Sequence, residues 1–418
     1  MAKVQGQKIQ GLAARTAALR MLDAVMRRGE TLDLAEGQFA KGLTPSDRGL
    51  ARAIAGESLR WLVDLDALID SATRDALPDD AKPRMVLRMM LAQWLRLDTP
   101  PHAVIATGLE LLSGGPRRLA HGVFSALVKR PADLPSAPTL PTAVAARWSA
   151  QWPDRVAPIA AALAAPPPLD LALKDWTETD SRASELGGVS LAPGHIRLAR
   201  GSAVERLAGF EHGAWWVQDL AASLPARLLG AGEGKRVLDL CAAPGGKTLQ
   251  LAAAGWQVTS LDKSAKRLDR LVENLDRVGL SAEVVAADAL TWEPSRPYDA
   301  ILLDAPCTAT GTCRRHPDVL HRIGPRQIAE MAELQAGLLE RAATWLAPGG
   351  TLVYATCSLE PQEGENQTPA VGLTPAPIDT GELPARLTPT ADGHLRTDPG
   401  MLAEVGGLDG FFIARWKR

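Results

Sequence analysis

Five places in the chain put a reactive or acidic side chain directly after an apolar run rich in β-branched residues. "KRVLDL" leads into "CAAPGGKT", Cys241 to Thr248; "WQVTSLD" ends on Asp262; "AEVVAAD" ends on Asp288; "YDAILLDAP" runs through Asp304 to Cys307; and "GTLVYATCS" reaches Cys357. The first of these misses the triphosphate loop G-x-x-x-x-G-K-[ST] by one residue, because Cys241 stands where its first glycine should be. Such a loop aims successive backbone N–H groups at phosphate oxygens. Pro244 has no N–H to offer, and Cys241 lacks glycine's conformational freedom. A polyphosphate, and with it an ATPase, is therefore disfavoured. An acid at the end of the second strand (Asp262) suits the two hydroxyls of a ribose, and one after the third (Asp288) can accept from an adenine amino group. With a glycine loop that lets backbone approach closely, these describe adenosine without a polyphosphate, which fits S-adenosylmethionine; a dehydrogenase of the Rossmann type would share the loop and the acid.

The cysteines narrow the chemistry. Carbon 5 of a cytosine is a poor nucleophile until the ring loses its aromaticity. A thiolate adding at carbon 6 does this, giving an enamine able to attack a sulfonium methyl; loss of the carbon 5 proton then lets the thiol depart. Cys307 and Cys357, at two strand ends beside the loop, supply two thiols for that cycle, and the residues alone leave open which of them attacks. Cys241 is expected to shape its loop, and Cys313 has no role to assign. Next to the Cys307 loop, "RRHPD" supplies Arg314, Arg315 and His316 where an RNA phosphate or a splayed base would lie. A target base has to leave its stack to reach a thiol.

The elements that must position these groups follow from pattern. At 418 residues the chain is long enough for more than one core. Residues 9 to 130 repeat apolar side chains at helical spacing: Leu12, Leu19, Leu22, Val25 and Met26 in one stretch, and Leu50, Ile54, Leu59, Leu62 and Leu65 in "TPSDRGLARAIAGESLRWLVDLDALID", which opens on a Thr or Ser cap. An all-α bundle over residues 1–130 is expected. "PADLPSAPTLP" reads as a linker, and residues 140–210 as a small α+β linker subdomain, with a helix around "AARWSAQW" and short strand-like segments in "LDLALK", "ASELGG" and "HIRLARG". From 211 to 418 strands alternate with helical stretches, the mark of a mostly parallel α/β sheet covered on both faces; "EGENQTPAVGLTPAPIDTGELPARLTPT" reads as loop.

The net charge of −2 conceals an asymmetry: residues 1–130 hold 19 Lys and Arg against 14 Asp and Glu, an excess of five positive charges, and the rest of the chain is acidic. The basic front is the part expected to meet RNA phosphates, with salt-sensitive affinity. Four cysteines without a C-x-x-C pair suggest neither a disulfide framework nor zinc, so no metal is expected. No apolar run spans a membrane, and "MAKVQGQKIQGLAARTAALR" lacks the apolar core of a secretory signal. A cytoplasmic monomer is the expectation.

"VLDLCAAPGGKT", "DAPCTATGTCRRHPD", "YATCSLEPQEGEN" and the terminal "DGFFIARWK" resemble the motifs of RNA cytosine-5 methyltransferases, and the helical front, with "SDRGLARAIAGESLRWL" and "AHGVFSALVKR", resembles the RNA-binding NusB fold. The combination is similar to the bacterial RsmB (Fmu) family and covers most of the chain. The resemblance implies a Rossmann-like class I S-adenosylmethionine-dependent methyltransferase domain behind a NusB-like one, acting on carbon 5 of a cytosine in 16S ribosomal RNA, usually cytosine 967. It implies Cys357 as nucleophile, Cys307 assisting release, and cofactor contacts from Cys241, Ala242, Ala243, Pro244, Gly245, Gly246, Lys247, Asp262, Asp288 and Asp304; Asp304 is also a candidate for the cytosine edge and Lys247 for the substrate. The alternatives are action on another RNA such as tRNA, or a scaffold that binds RNA with a dead catalytic domain, which the intact loop, acids and thiols oppose. Two departures from the family pattern stand out: a thiol at Cys313, and Gly and Pro interrupting the glutamate-rich helix expected after "TCS".

Overall fold

The computed structural model describes residues 10–418 except 202 and 371. Residues 1–9, which include two lysines of the basic front, lie outside the described residues. The chain divides into two compact units: one of residues up to 165 together with 315–323, the other of residues 166–314 and 324–418.

The first unit is all-α: α1 (Leu12–Arg28), α2 (Leu32–Phe39), α3 (Pro45–Arg60), α4 (Leu62–Ser71), α5 (Lys82–Arg96), α6 (Pro101–Gly108), α7 (Gly114–Val128), α8 (Thr142–Gln151) and α9 (Val156–Ala162). The hydroxyls of Thr31 and Thr44 accept from the backbone N–H of Leu34 and Asp47 and so cap α2 and α3. Gly29, at φ 66°, closes α1. The single periodic run read from Pro45 to Asp70 is two helices: Trp61 leaves helical geometry between them and goes into the core under the Arg96 guanidinium. Part of the positive charge here is internal. Arg88, 1% exposed, holds Asp66 through two bonds of 2.7 Å, and Arg84 holds Asp66 and Asp70. Residues 315–323, with the short α14 (Val319–Arg322), join this unit; His321 Nε2 lies 2.7 Å from the Leu59 carbonyl, and burial lowers its pKa.

The second unit opens with β1 (Leu169–Leu173), α10 (Thr179–Leu186), β2 (His195–Leu198) and β3 (Trp215–Val217), which form a small antiparallel sheet ordered β2-β1-β3. The segment 140–210 is thus divided, α8 and α9 lying in the first unit and β1, α10 and β2 in the second. "ASELGG" is the end of α10, closed by Gly187 at φ 64°, and forms no strand. Asp170 on β1 anchors the small sheet: it is buried against Arg197 (two bonds of 2.7 Å) and His195 (3.2 Å), and also accepts from Leu220 N.

The remainder is α11 (Leu220–Arg227), β4 (Arg236–Leu240), α12 (Gly246–Ala253), β5 (Gln257–Asp262), α13 (Ala265–Val278), β6 (Glu283–Ala286), β7 (Tyr298–Asp304), α15 (Pro325–Thr344), β8 (Leu346–Thr356), β9 (Thr374–Pro375), β10 (Leu395–Arg396) and β11 (Phe412–Lys417). The sheet runs β10-β11-β8-β7-β4-β5-β6, with β9 on β11; β4 to β8 are mutually parallel and β11 is antiparallel to β8. This is the Rossmann-like order of a class I methyltransferase. Val237, Leu238 and Leu240 of β4 and Ile301, Leu302 and Leu303 of β7 are fully buried, as central parallel strands covered on both faces require. On α13, Leu268, Leu271, Leu275 and Val278 fall on one face and are its buried residues. The stretch expected to be loop, residues 363–390, holds among its described residues only short 3₁₀ turns and the two-residue β9.

Candidate active site

The chain crosses from β4 to β5 and β6 on one side of the sheet and returns to β7 and β8 on the other, so the strand order reverses between β4 and β7. Ligands in open α/β sheets bind beyond the carboxyl ends of the strands at such a reversal. The loop after β4 is "CAAPGGKT" and the loop after β7 carries Cys307. Lys247 Nζ, at the start of α12, lies 2.7 Å from Asp304 Oδ2 at the end of β7 and bridges the two; its ammonium also stands 5.4 Å from the centroid of the Phe411 ring.

The loop from Cys241 to Gly246 is a tight turn. Cys241 has φ 61° and Gly245 φ 106°, Gly245 N donates to Ala242 O, and a side chain on Gly245 would meet Leu271 at 2.9 Å. Only glycine fits there. Ala242 and Ala243 are buried beneath it, and Pro244 follows a cis peptide bond. Asp262, at the end of β5, accepts from Ala243 N at 3.2 Å and Ser264 N at 2.9 Å, with Arg267 at 3.5 Å, so this acid organises the loop it faces. Asp288 lies beyond β6 and is held below its ordinary pKa by a 2.8 Å bond from Lys263 and by Leu290 N. Burial, with Asp304, Asp262 and Asp239 nearby, pushes the Cys241 thiol far up, which leaves it no part as a nucleophile.

Cys307 and Cys357 stand together, Sγ to Sγ 3.4 Å, both half-buried, and the backbone pins them: Gly311 N donates to Cys357 O and Leu359 N to Thr310 Oγ1. The neighbouring Cys357 sulfur, then burial, hold the Cys307 thiol well above its usual value. Cys313 is fully buried, a small apolar side chain in the interior.

The basic cluster is divided between the units, Arg314 in the second and Arg315 and His316 in the first. Arg314 is 1% exposed and reaches Asp409 (3.1 Å), Asp219 (3.4 Å) and the Gly406 carbonyl (2.7 Å), so its guanidinium is turned into the second unit and not toward a phosphate. Arg315 and His316 belong to the first unit, where His316 Nδ1 lies 3.6 Å from Asp33. Two groups had no sequence reading. Asp239, in the middle of "VLDL", is fully buried; its Oδ2 accepts from Thr248 at 2.5 Å, its Oδ1 has no partner, and burial raises its pKa to about 7. Glu363 is also fully buried and binds the loops of both thiols. An acid inside an otherwise apolar strand was the available signal for the first; the second stands among Glu360, Glu363 and Glu365 with nothing to single it out.

Comparison with known proteins agrees with this geometry. The sequence model of the 16S rRNA methyltransferase RsmB/F family matches residues 226–417, and that of the NusB family matches residues 12–115. The ribosomal RNA small subunit methyltransferase B of Klebsiella pneumoniae is 34% identical over 96% of this chain and 97% of its own length. Among solved structures, PH0851 shares the fold over 99% of both chains, with a TM-score of 0.74 at 21% identity. A methyltransferase homolog from Pyrococcus horikoshii covers 65% of this chain and 93% of its own, with a TM-score of 0.56 at 27% identity.

Proposed function

Because this chain belongs to the RsmB/F family of 16S rRNA methyltransferases, we propose that it methylates carbon 5 of a cytosine in small-subunit ribosomal RNA, with Cys357 as nucleophile and Cys307 assisting release. The observation that carries the reading is the 3.4 Å approach of two thiols at the strand-order reversal, next to the glycine loop.

S-adenosylmethionine, the methyl donor in this reading, supplies an electrophilic methyl group. The residues present fit it: the turn from Cys241 to Lys247 offers backbone without bulky side chains, Asp262 stands where ribose hydroxyls would be received, and Asp288 where an adenine amino group would be. Asp304, tied to Lys247, faces the same crevice and would serve the cytosine edge.

Cys357 Sγ bonds to carbon 6 of the cytosine, and the electron pair of the 5,6 double bond becomes available at carbon 5. Cys357 attacks as the thiolate, its proton released to solvent, with the Cys307 sulfur 3.4 Å away. Cys307, once its own proton has passed to solvent, takes the carbon 5 proton as base, after which the carbon–sulfur bond breaks, its electron pair leaves with Cys357 as thiolate and the 5,6 double bond re-forms. The NusB-family bundle holds the surrounding RNA.

Cys357→Ala abolishes methylation, and Cys307→Ala accumulates a protein–RNA adduct that survives a denaturing gel. An adduct formed by Cys357→Ala instead would reverse the two roles, and methylation that survives loss of both thiols would overturn the mechanism.

A further inference from the structure

A single buried carboxylate ties together the loops that carry the two thiols. Glu363 accepts from the backbone N–H of Thr308 at 2.8 Å, from the Thr308 hydroxyl, from Ser358 Oγ at 2.9 Å and from Gln335 Nε2 at 3.0 Å. Thr308 follows Cys307 and Ser358 follows Cys357. Gln335, on α15, also donates to the carbonyl of Pro306, immediately before Cys307, at 2.8 Å. The backbone carbonyl of Glu363 accepts from Tyr354 OH (2.7 Å) and Thr356 Oγ1 (3.0 Å), on the strand that ends in Cys357. Each thiol is thus bracketed on both sides by residues fastened to Glu363, directly or through Gln335.

A carboxylate has about four acceptor sites, and four donors fill them here. An apolar side chain of this volume would pack the same space without fixing either loop, and burying a carboxylate carries a desolvation cost that an apolar one avoids. What the carboxylate adds is position. Burial raises the Glu363 pKa and its four donors oppose the rise; Arg396 donates to the Ser358 carbonyl and is paired with Glu365.

Resting on the two-thiol reading above, we propose that Glu363 is the positioning residue that holds Cys307 and Cys357 in register, so that Cys357 is the thiol presented for attack. It touches neither base nor cofactor. It acts through the two loops, and its loss scrambles the division of labour between the thiols before it disturbs the rest of the fold.

Glu363→Gln keeps the volume and turns one acceptor into a donor. Iodoacetamide labelling of the full-length protein between pH 6 and 10, read peptide by peptide, reports which thiol reacts. In the parent Cys357 is labelled first; in Glu363→Gln its preference over Cys307 falls by roughly tenfold or more. Turnover on RNA falls on the order of 100-fold while KM for RNA changes little, as expected for a displaced nucleophile. Glu363→Asp keeps the carboxylate and restores the Cys357 preference. A Gln variant that labels and turns over like the parent overturns the proposal. Should that variant not fold, Thr308→Ala and Ser358→Ala each remove one donor, and unchanged Cys357 preference in both overturns it as well. Failure of the underlying reading shows separately, as a Cys357→Ala protein that still methylates RNA.

Discussion

Replacing Asp239 with asparagine should stabilise the protein at alkaline pH and leave it nearly unchanged in acid. The carboxyl is fully buried in β4, with one oxygen on Thr248 Oγ1, itself 3.0 Å from Ser260 Oγ, and the other oxygen without a partner. Burial raises its pKa from 3.8 to about 7, the Thr248 bond and Lys247 opposing and Asp304 and Asp262 adding to the rise. The sign follows from proton counting. Below about pH 4 the group is neutral whether the chain is folded or not. Between about 4 and 7 the native state holds a proton that the unfolded state has released, so stability falls as pH rises. Above about 7 both states are ionised and the loss is complete. A rise of that size corresponds to roughly 4 kcal/mol. An amide keeps an acceptor for Thr248 and does not ionise, so urea midpoints of parent and Asp239→Asn should nearly coincide at pH 4 and separate progressively until about pH 8, the variant being the more stable. An offset independent of pH, or one that opens on the acid side, would refute the reasoning.

Two further outcomes follow from the packing. Arg314→Ala leaves Asp219 and Asp409 buried without the cation they share, and should cost about 3–5 kcal/mol of stability by urea unfolding; a variant of parental stability whose RNA affinity has collapsed would move Arg314 back onto the substrate. Gly311→Ala would drive a methyl into the Gly410 carbonyl and to 2.9 Å from that of Cys357. Overpacking of this kind costs about 1–3 kcal/mol, and here it falls on the backbone that carries Cys357, so on the proposed mechanism methyl transfer in a filter assay should drop well beyond what the lost stability explains; parental turnover would show that the loop yields without moving Cys357.

The parallel strands were legible because a strand buried on both faces must be an apolar run, and the polar residue that ends each run falls on the rim where ligands bind. That argument reached Cys241, Asp262, Asp288, Asp304, Cys307 and Cys357 without any tertiary information. It could not reach β11, whose place between β10 and β8 is decided by pairing across sequence distance. Nor could it see the break at Trp61, since helical periodicity runs through it, or the helical end of "ASELGG", which Gly187 settles. An arginine beside a reactive loop ordinarily faces solvent, and the sequence alone puts Arg314 there. Its burial depends on Asp219 and Asp409, each 95 residues away in sequence. Glu363 is hidden from the sequence for the same reason, as its ligands Thr308 and Gln335 come from 55 and 28 residues upstream.

The pairings that the sequence does not show share a property that bears on how the site works. Arg314 with Asp219 and Asp409, Glu363 with Thr308, Ser358 and Gln335, and Lys247 with Asp304 each join loops remote from one another in the chain. Buried ionic groups are a weak source of net stability, because desolvation offsets much of their attraction, yet a partly satisfied network is strongly disfavoured against a complete one. An apolar contact tolerates a small displacement with little loss; a carboxylate with four donors does not. Apolar clusters cover the two faces of the sheet, and the ionic groups stand where tolerance is smallest, at the loop ends that set two sulfurs 3.4 Å apart. On that argument their truncation should damage turnover out of proportion to its effect on folding wherever the loop they hold carries a thiol, as with Glu363, and act mainly on stability where it does not, as with Arg314.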